Sequence, residues 1–544
     1  MSASTPPSTA APPPVPGPRL ARAAGLIGGL TVLSRIAGFG RTAVLGWFVG
    51  STVLGSAYVT ANTVPNIIFE IVAGGALAAL VVPLLAGAVA AGDRRTEAGT
   101  VAALLTWTLT ALIPLAVVVA LLAGPIIDGL AGDLSTPARD AGVLMLRIFA
   151  PQLPLYGIGI VLTGVLQAHR RFAWPVIAPL LSSVVVAATY GLFAAVEGAR
   201  ADVPAVGVGG QLILAVGTTL GVVVLSLSLV IPARGLGLRL RPTWRFPGDA
   251  GRHAVKLAGA GVVTVGLQQV AVLVTLKLAN LGPQGTVVVF TVAQAVYLLP
   301  WAILAVPVAT AVYPALATAH STGDHSGYRD RLAPAARGVL LLSCLGAAAL
   351  AAVAEPVAGF FALSGLAAAV AGFAPGLLGY GLFAILTRAL YARGLPRPAA
   401  TATAIGWATV SVAAVVLSLA LADRDRLLAL TLANSIGMLV LGALLALAVH
   451  RRAGAAALAG FHRALLVGLT AGAAAAAAGW AVAEALGSGA AASKPASLWH
   501  GAVAGLVVLL VFAAVAYPLD RHDVRPAVAA VLRRLRGRRR RATG

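Results

Sequence analysis

The chain has 544 residues, of which 59% are hydrophobic and only 10% charged. Soluble globular proteins carry about 25% charged residues, so a cytosolic enzyme is excluded and an integral membrane protein is indicated. The net charge of +22 raises nucleic acid as a partner, and where those charges sit decides the matter.

Residues 1–18 are rich in Pro, Ala and Ser and read as a disordered tail. Beyond them come fourteen apolar runs, each long enough to cross the ~30 Å core of a bilayer as a helix. They fall at about 23–49, 56–90, 98–123, 140–168, 173–197, 205–233 and 255–281, then 285–318, 337–358, 367–392, 399–421, 427–449, 463–485 and 499–517. No period-2 alternation appears, which excludes a β-barrel. The fold class is all-α and polytopic, with two pseudo-symmetric six-helix lobes plus two C-terminal helices. Residues 19–233 form the N-lobe, 234–254 a basic cytoplasmic linker, 255–450 the C-lobe, 451–518 the last two spans and 519–544 a basic cytoplasmic tail. The lobes rest on an internal repeat. Pro83 and Pro314, Asp93 and Asp324, and Pro125 and Pro356 are each 231 positions apart, and Thr163 and Thr387 are 224 apart. Six spans per copy gives both copies the same orientation, the arrangement of transporters that rock two lobes about a central cavity.

Loop charge sets the orientation. With the N-terminus inside, the segments on that side hold 29 of the 39 Lys and Arg residues, nine of them after the last span. This positive-inside pattern places both termini in the cytoplasm, and it accounts for the charge without nucleic acid. The stretch Asp523–Arg541 reads as a short amphipathic helix whose arginines lie on anionic inner-leaflet lipid. The single cysteine, Cys344, excludes a disulfide framework or thiolate metal site. There is no Walker A motif, GxSxG, HExxH or activated carboxylate pair, so neither ATP drive, catalysis, cofactor nor metal is expected.

Ionisable residues inside a bilayer are costly, and functional by default when deep. Lys277 and Arg388 lie near helix ends and read as snorkelling. Arg147, about two turns inside the fourth span, is equally consistent with snorkelling and with lining a cavity. Arg35 falls near the middle of the first span with Arg41 about two turns on, and Gly38 and Gly40 between them leave the backbone open to a ligand. Glu70 is the only acid deep within a span. It follows Pro65, which kinks that helix, and Asn62 or Asn66 stands ready to satisfy the freed carbonyls. An Arg35/Arg41–Glu70 ion pair facing a cavity is one reading; the other has an anionic head group displacing Glu70. The polar positions of the second lobe, Gln268, Gln269, Asn280 and Gln294, are neutral. Because Gln268 and Gln269 are adjacent, only one is expected to face a given cavity, and interhelical hydrogen bonding is as consistent as substrate contact. Pro300 and Pro307 mark a broken eighth span, counterpart of the broken second.

Residues Ser34–Gly50, SRIAGFGRTAVLGWFVG, followed by SAYVTANTVPNIIFEIVAGGALAALVVPLLA, resemble the opening of the MurJ/MviN lipid II flippases. That family lies in the multidrug/oligosaccharidyl-lipid/polysaccharide exporter superfamily, and the likeness is to its actinobacterial form. Ser34-Arg35, the Gly-Phe-x-Arg ending at Arg41, Asn62, Pro65-Asn66 and Gly75-Ala76 carry the resemblance, and Tyr297–Ala319 is similar to the family's eighth helix. The resemblance implies alternating-access export of a polyprenyl-diphosphate-linked saccharide in the bacterial inner membrane. Arg35 and Arg41 would hold the diphosphate, since guanidinium forks bind phosphate bidentately. Gly38, Gly40, Asn62, Pro65, Asn66, Glu70, Arg147, Gln269, Gln294 and Pro300 are the expected cavity and gating positions. The sequence also departs from the family. Phe69 and Glu70 stand where many members have arginines, and Gln294 and Ala295 where many have an acid and an arginine, so the cavity is less cationic. Residues 256–280 and 399–420 lack Asp and Glu, against the sodium site some members are thought to use. Expected partners are the glycan lipid, anionic lipid at the tail and proteins of cell-wall synthesis. The alternatives are export of another polyprenyl-linked glycan or amphipathic small molecule, or a non-transporting scaffold of wall synthesis.

Overall fold

A computed structural model describes residues 18–73, 78–132, 135–247, 250–489, 492–520 and 522–525. The N-terminal tail up to residue 17, Gly75-Ala76 and the basic tail from Pro526 onward lie outside the described residues. Among the described residues there is helix, turn and loop but no strand. The first half of the chain forms α1 (Pro18–Phe48), α2 (Val53–Glu70), α3 (Ala78–Ala91), α4 (Arg94–Leu121) and α5 (Ala123–Ala131). It continues with α6 (Thr136–Phe149), α7 (Gln152–Ala168), α8 (Ala173–Glu197), α9 (Val208–Leu227) and α10 (Val230–Arg234). The second half forms α11 (Ala250–Asn280), α12 (Thr286–Pro300), α13 (Val306–Ser321), α14 (His325–Ala352) and α15 (Ala354–Phe361). Next come α16 (Leu366–Phe373), α17 (Gly376–Ala392), α18 (Pro396–Ala420), α19 (Arg426–Ala453), α20 (Phe461–Ala485) and α21 (Lys494–Leu519). Ten helical segments among the described residues are long and apolar enough to cross a membrane, or eleven if α16 and α17, bent by 45°, count as one. Their outward faces are apolar, with Leu121 and Leu419 74% and 82% exposed, as lipid contact requires. Helix α11 begins at Ala250, a turn earlier than the apolar run suggests.

The same local devices recur in the two halves. Helices α1 and α11 are both 31 residues long, α4 and α14 both 28, α7 and α17 both 17, and α8 and α18 both 25. Asp93 caps α4 by accepting from the amides of Arg95 and Thr96 at 3.1 and 3.0 Å. Asp324 caps α14 by accepting from the Gly327 amide at 2.7 Å and the Ser326 hydroxyl at 2.9 Å. These bonds satisfy orphan N–H groups. Hydrogen bonds from Thr96 hold the Asp93 carboxyl below its ordinary pKa, and the Gly327 amide does the same for Asp324. Each cap follows a left-handed glycine, Gly92 at φ 68° and Gly323 at φ 72°, a conformation that a side chain would strain. Residues 71–73 after α2 and Trp301–Ala305 after α12 are π-helical. The eighth apolar run is therefore not broken at Pro300: it runs on through a π turn as one segment, Thr286–Ser321.

Where the halves differ, the chemistry differs too. Near the ends of α4 and α7, the His169 ring nitrogen Nε2 lies 2.5 Å from Glu97 Oε1, the Glu97 side chain being only 5% exposed. Near the ends of α14 and α17, Arg393 instead sits 5.3 Å over the Tyr328 ring. Glu97→Ala takes the hydrogen-bonding carboxylate from the half-buried His169 ring and is expected to cost about 1–3 kcal/mol. Glu97→Gln, which keeps a hydrogen bond, costs less; SDS-titration unfolding in mixed micelles reads the difference, and equal costs for both variants would refute it.

Within each half the helices close on small residues. A Cβ at Gly379 would stand 1.9 Å from the Met438 carbonyl oxygen, and one at Gly442 2.7 Å from Gly379 Cα, so α17 and α19 touch backbone to backbone. In the first half, a Cβ at Gly164 on α7 would meet Val81 at 2.5 Å. The first-half core is built on Tyr58, Phe149, Tyr190 and Phe193, with the Tyr58 hydroxyl 2.8 Å from both Tyr190 Oη and Thr218 Oγ1. A second core spans α14, α17, α19 and α20.

Candidate functional site

A cavity of about 410 Å³ opens between the halves, walled by α2 on one side and by α11, α12, α17, α18 and α19 on the other. From α2 it takes Thr63, Asn66 and Glu70. From the second half it takes Gln268, Gln269, Gln294, Tyr297, Tyr380 and Asn434. Both glutamines of the adjacent pair line it. Neighbouring residues on a helix point about 100° apart, and this cavity wraps far enough round α11 to take both, so the expectation that only one faces it is corrected. Tyr297 Oη and Asn434 Oδ1 are buried here without a hydrogen-bond partner. Glu70 is the one carboxylate among the lining residues.

Arg35 and Arg41 are exposed on α1 and do not line the cavity wall. Arg35 stands at its edge: its guanidinium lies 6.0 Å over the Trp301 ring, a cation–π contact that reaches from the first half to the second. Trp301 packs on Tyr380, ring centroids 4.7 Å apart, and donates to the Tyr380 carbonyl at 3.0 Å. The π turn that begins at Trp301 helps set this indole where Arg35 can meet it. Arg41 lies within electrostatic reach of Tyr58, Tyr156 and Tyr190 on the first-half wall. Among the described residues neither arginine makes an ion pair with Glu70. Both sequence readings of Glu70 had it held by those arginines; the structure separates them. A Cβ at Gly38 or Gly40 would meet nothing within 4 Å, so the backbone between the arginines faces open space.

Two further expectations are corrected. Asn66 does not satisfy a carbonyl freed by Pro65; its Oδ1 accepts from the Tyr156 hydroxyl at 3.0 Å, and Asn62 makes no hydrogen bond among the described residues. Helix α2 runs through Pro65 without a break, and residues 71–73 beyond its end are π-helical. Arg147 is exposed at the C-terminal turn of α6 and absent from the cavity lining. Pro65 is buried in α2, and Pro300 closes α12 just before the π turn.

At the end of the bundle away from the termini, the halves are tied together. Arg200, at φ 61°, donates from Nη2 to the Phe361 carbonyl at 2.6 Å and from Nη1 to the Ala362 carbonyl at 2.9 Å. Its own amide donates to the Phe48 carbonyl at 2.6 Å. Its Nε donates to the Trp47 carbonyl at 3.4 Å, so one guanidinium joins the C-terminal ends of α1 and α15, where helix dipoles favour a cation. Asp202 accepts from the amides of Val53 and Leu54 at 3.0 and 2.9 Å and from Gln284 Nε2 at 3.2 Å. Trp47 Nε1 donates to the Phe360 carbonyl at 3.1 Å, Asn280 bonds Thr60 and Leu130, and Lys277 donates to the Gly129 carbonyl. Sequence reading passed over this set because Arg200 and Asp202 look like ordinary loop charges. The one signal was their placement in a short loop rich in charge.

The fold and this cavity, tied shut at one end, define a polytopic membrane transporter. The lipid II flippase MurJ family profile matches residues 47–493, and the chain belongs to that family. A lipid II flippase MurJ of Burkholderia cenocepacia is 27% identical over 69% of this chain and 73% of its own length. A probable lipid II flippase MurJ of Synechocystis is 31% identical over 42% of this chain and 43% of its own. Among solved structures, a lipid II flippase MurJ in an inward closed conformation superposes with TM-score 0.71 at 17% identity, over 91% of this chain and 99% of that one. An inward-facing multidrug-resistance MATE transporter of the MOP superfamily superposes with TM-score 0.63 at 16% identity, covering 80% of this chain and 98% of that one. The likeness of fold to these two extends over most of the chain.

Proposed function

We propose that the protein flips lipid II, the polyprenyl-diphosphate-linked peptidoglycan precursor, from the inner to the outer leaflet of the bacterial inner membrane. The observation that carries this reading is the pair Arg35 and Arg41, exposed, without an acidic partner among the described residues, and flanking an open glycine backbone beside the cavity. A diphosphate offers what two guanidinium forks bind, and the neutral amides of Gln268, Gln269 and Gln294 suit the hydroxyls and amides of a glycopeptide head group. Fourteen spans in two six-helix lobes plus α20 and α21 follow if each broken or bent pair is one crossing, and the matched helix lengths of the halves support that division. The excess of basic residues at the terminal end supports cytoplasmic termini. The cavity then serves the cytoplasmic leaflet while the Arg200 cluster closes the outer side, and rocking of the lobes exchanges the two. With the inside negative, outward movement of the diphosphate gains about 2.3 kcal/mol per charge per 100 mV.

The test is reconstitution of the full chain in proteoliposomes with fluorescent lipid II on one leaflet. Dithionite-accessible label should increase in a protein-dependent way, and faster under an inside-negative potential. No protein-dependent transfer of lipid II would refute the reading, and transfer of another polyprenyl-linked glycan in its place would substitute the nearest alternative.

A further inference from the structure

A second basic site lies on the outside of the first half, away from the cavity. The segment after α10 runs along α4 and is pinned there by three hydrogen bonds: the Thr243 amide to Thr106 Oγ1 at 3.1 Å, Trp107 Nε1 to the Trp244 carbonyl at 2.9 Å, and Trp244 Nε1 to Thr110 Oγ1 at 3.3 Å. Between this segment and α4 a hollow of about 480 Å³ is edged by Arg94, Arg95, Arg239 and Arg241. None of these four guanidinium groups makes an ion pair or hydrogen bond among the described residues, and no acid lines the hollow. It shares Ala102 and Pro242 with a second hollow of about 500 Å³, whose lining is apolar and includes Leu105, Leu109, Ile113 and Leu240.

Four unpaired cations above an apolar slot is an amphipathic arrangement with its polarity along the helix axis. Its dimensions match one leaflet. From Arg95 to Leu109 the rise along α4 is about 21 Å, close to half of the ~40–45 Å thickness of a bilayer with its head groups. Trp107 and Trp244, half-exposed or more, stand beside the apolar slot on the same face, as amphipathic tryptophans do near a membrane interface. Beyond them Ile113, Val117 and Leu121 of α4 are exposed and apolar, so this face looks into lipid.

We propose that this trough is a binding site for an anionic glycerophospholipid of the surrounding membrane, its phosphodiester held by Arg94, Arg95, Arg239 and Arg241 and an acyl chain laid in the slot beside Leu105, Leu109 and Leu240. The occupant is a membrane phospholipid and not the transported lipid, because the trough shares no residue with the cavity between the halves. A bound phospholipid joins α4 to the segment that connects the two halves, so its occupancy tightens that connection. The site stands independently of the transport reading.

The experiment uses the full chain in nanodiscs of phosphatidylcholine with increasing phosphatidylglycerol, counting co-purified lipid by native mass spectrometry. Wild-type protein should retain phosphatidylglycerol about tenfold in preference to phosphatidylcholine. Arg239→Gln with Arg241→Gln, both on an exposed loop, should bring that preference below about threefold, while Arg424→Gln, exposed in the loop before α19 beside Asp425, leaves it unchanged. Thermal melting in pure phosphatidylcholine verifies that each variant is folded. Leu109→Trp, which fills the slot without touching the charges, should also lower retention. Unchanged preference in the linker variant would overturn the proposal. So would equal displacement by millimolar inorganic phosphate, which would make the site one for a free anion, or displacement by polyprenyl diphosphate at equimolar phosphatidylglycerol, which would assign it to the cargo.

Discussion

Arg35→Ala combined with Arg41→Ala is expected to reduce lipid II flipping in proteoliposomes to background. Each guanidinium offers charge-assisted hydrogen bonds worth about 1.5–3 kcal/mol net, so losing both weakens diphosphate binding by roughly a hundredfold or more. The single Arg35→Ala should be the more damaging of the two, because it also removes the contact over Trp301 that spans the halves. Lysine at position 35 restores charge but not the planar fork and should recover part of the activity. Arg147→Ala, outside the cavity wall, should change the rate by less than about threefold. A doubly substituted protein that flips at the wild-type rate would remove the diphosphate role from α1 altogether.

Arg200→Ala is expected to shift the protein toward a state open at the end away from the termini. The residue holds a left-handed φ of 61°, a conformation costing a non-glycine residue of order 1 kcal/mol, and its hydrogen bonds across the halves offset that cost. Without the side chain, the Phe361 and Ala362 carbonyls lose their donor while the Trp47–Phe360, Asn280–Thr60 and Gln284–Asp202 bonds remain. Losing two charge-assisted bonds moves a two-state ratio by at least about tenfold. Spin labels at Ser135 and Leu281, exposed on opposite halves, would show a longer distance population that wild type lacks. An unchanged distance distribution would show that the remaining contacts suffice to keep this end shut.

Much of this was legible in the sequence because bilayers impose simple rules. Runs of about 20 apolar residues, prolines repeating at fixed intervals and arginines concentrated in alternate loops each reflect a simple physical constraint. Asp93 and Asp324 could be aligned by eye, and both serve as caps with the same local logic. The cavity residues were legible only in part. Glu70, Asn66, Gln269 and Gln294 stood out as polar side chains in apolar runs, and all four line the cavity. Tyr380 and Asn434 did not stand out, because an aromatic or an isolated amide in a helix reads as packing until its neighbours are known. The cluster around Arg200 was illegible for a different reason. It works by donating to backbone carbonyls at helix ends, and a carbonyl carries no sequence signature. The arginine–Glu70 pairing failed because charge complementarity between spans says nothing about which way each helix is rotated.

The contact of Gly379 with Gly442 has a mechanical consequence. Where two helices meet backbone to backbone, neither has a side chain that can swing, slide or repack, so α17 and α19 form a stiff plate. In the other half α7 closes at Gly164 on the branched, buried side chain of Val81, which leaves no room for a side chain at 164. Any rearrangement is then left to the surfaces where long side chains meet, at Arg35 on Trp301 and at Arg200 on the carbonyls of α15. Such a machine works like a pair of rigid jaws with two small, exchangeable fasteners: its gearing is set by the plates, and its timing by the fasteners.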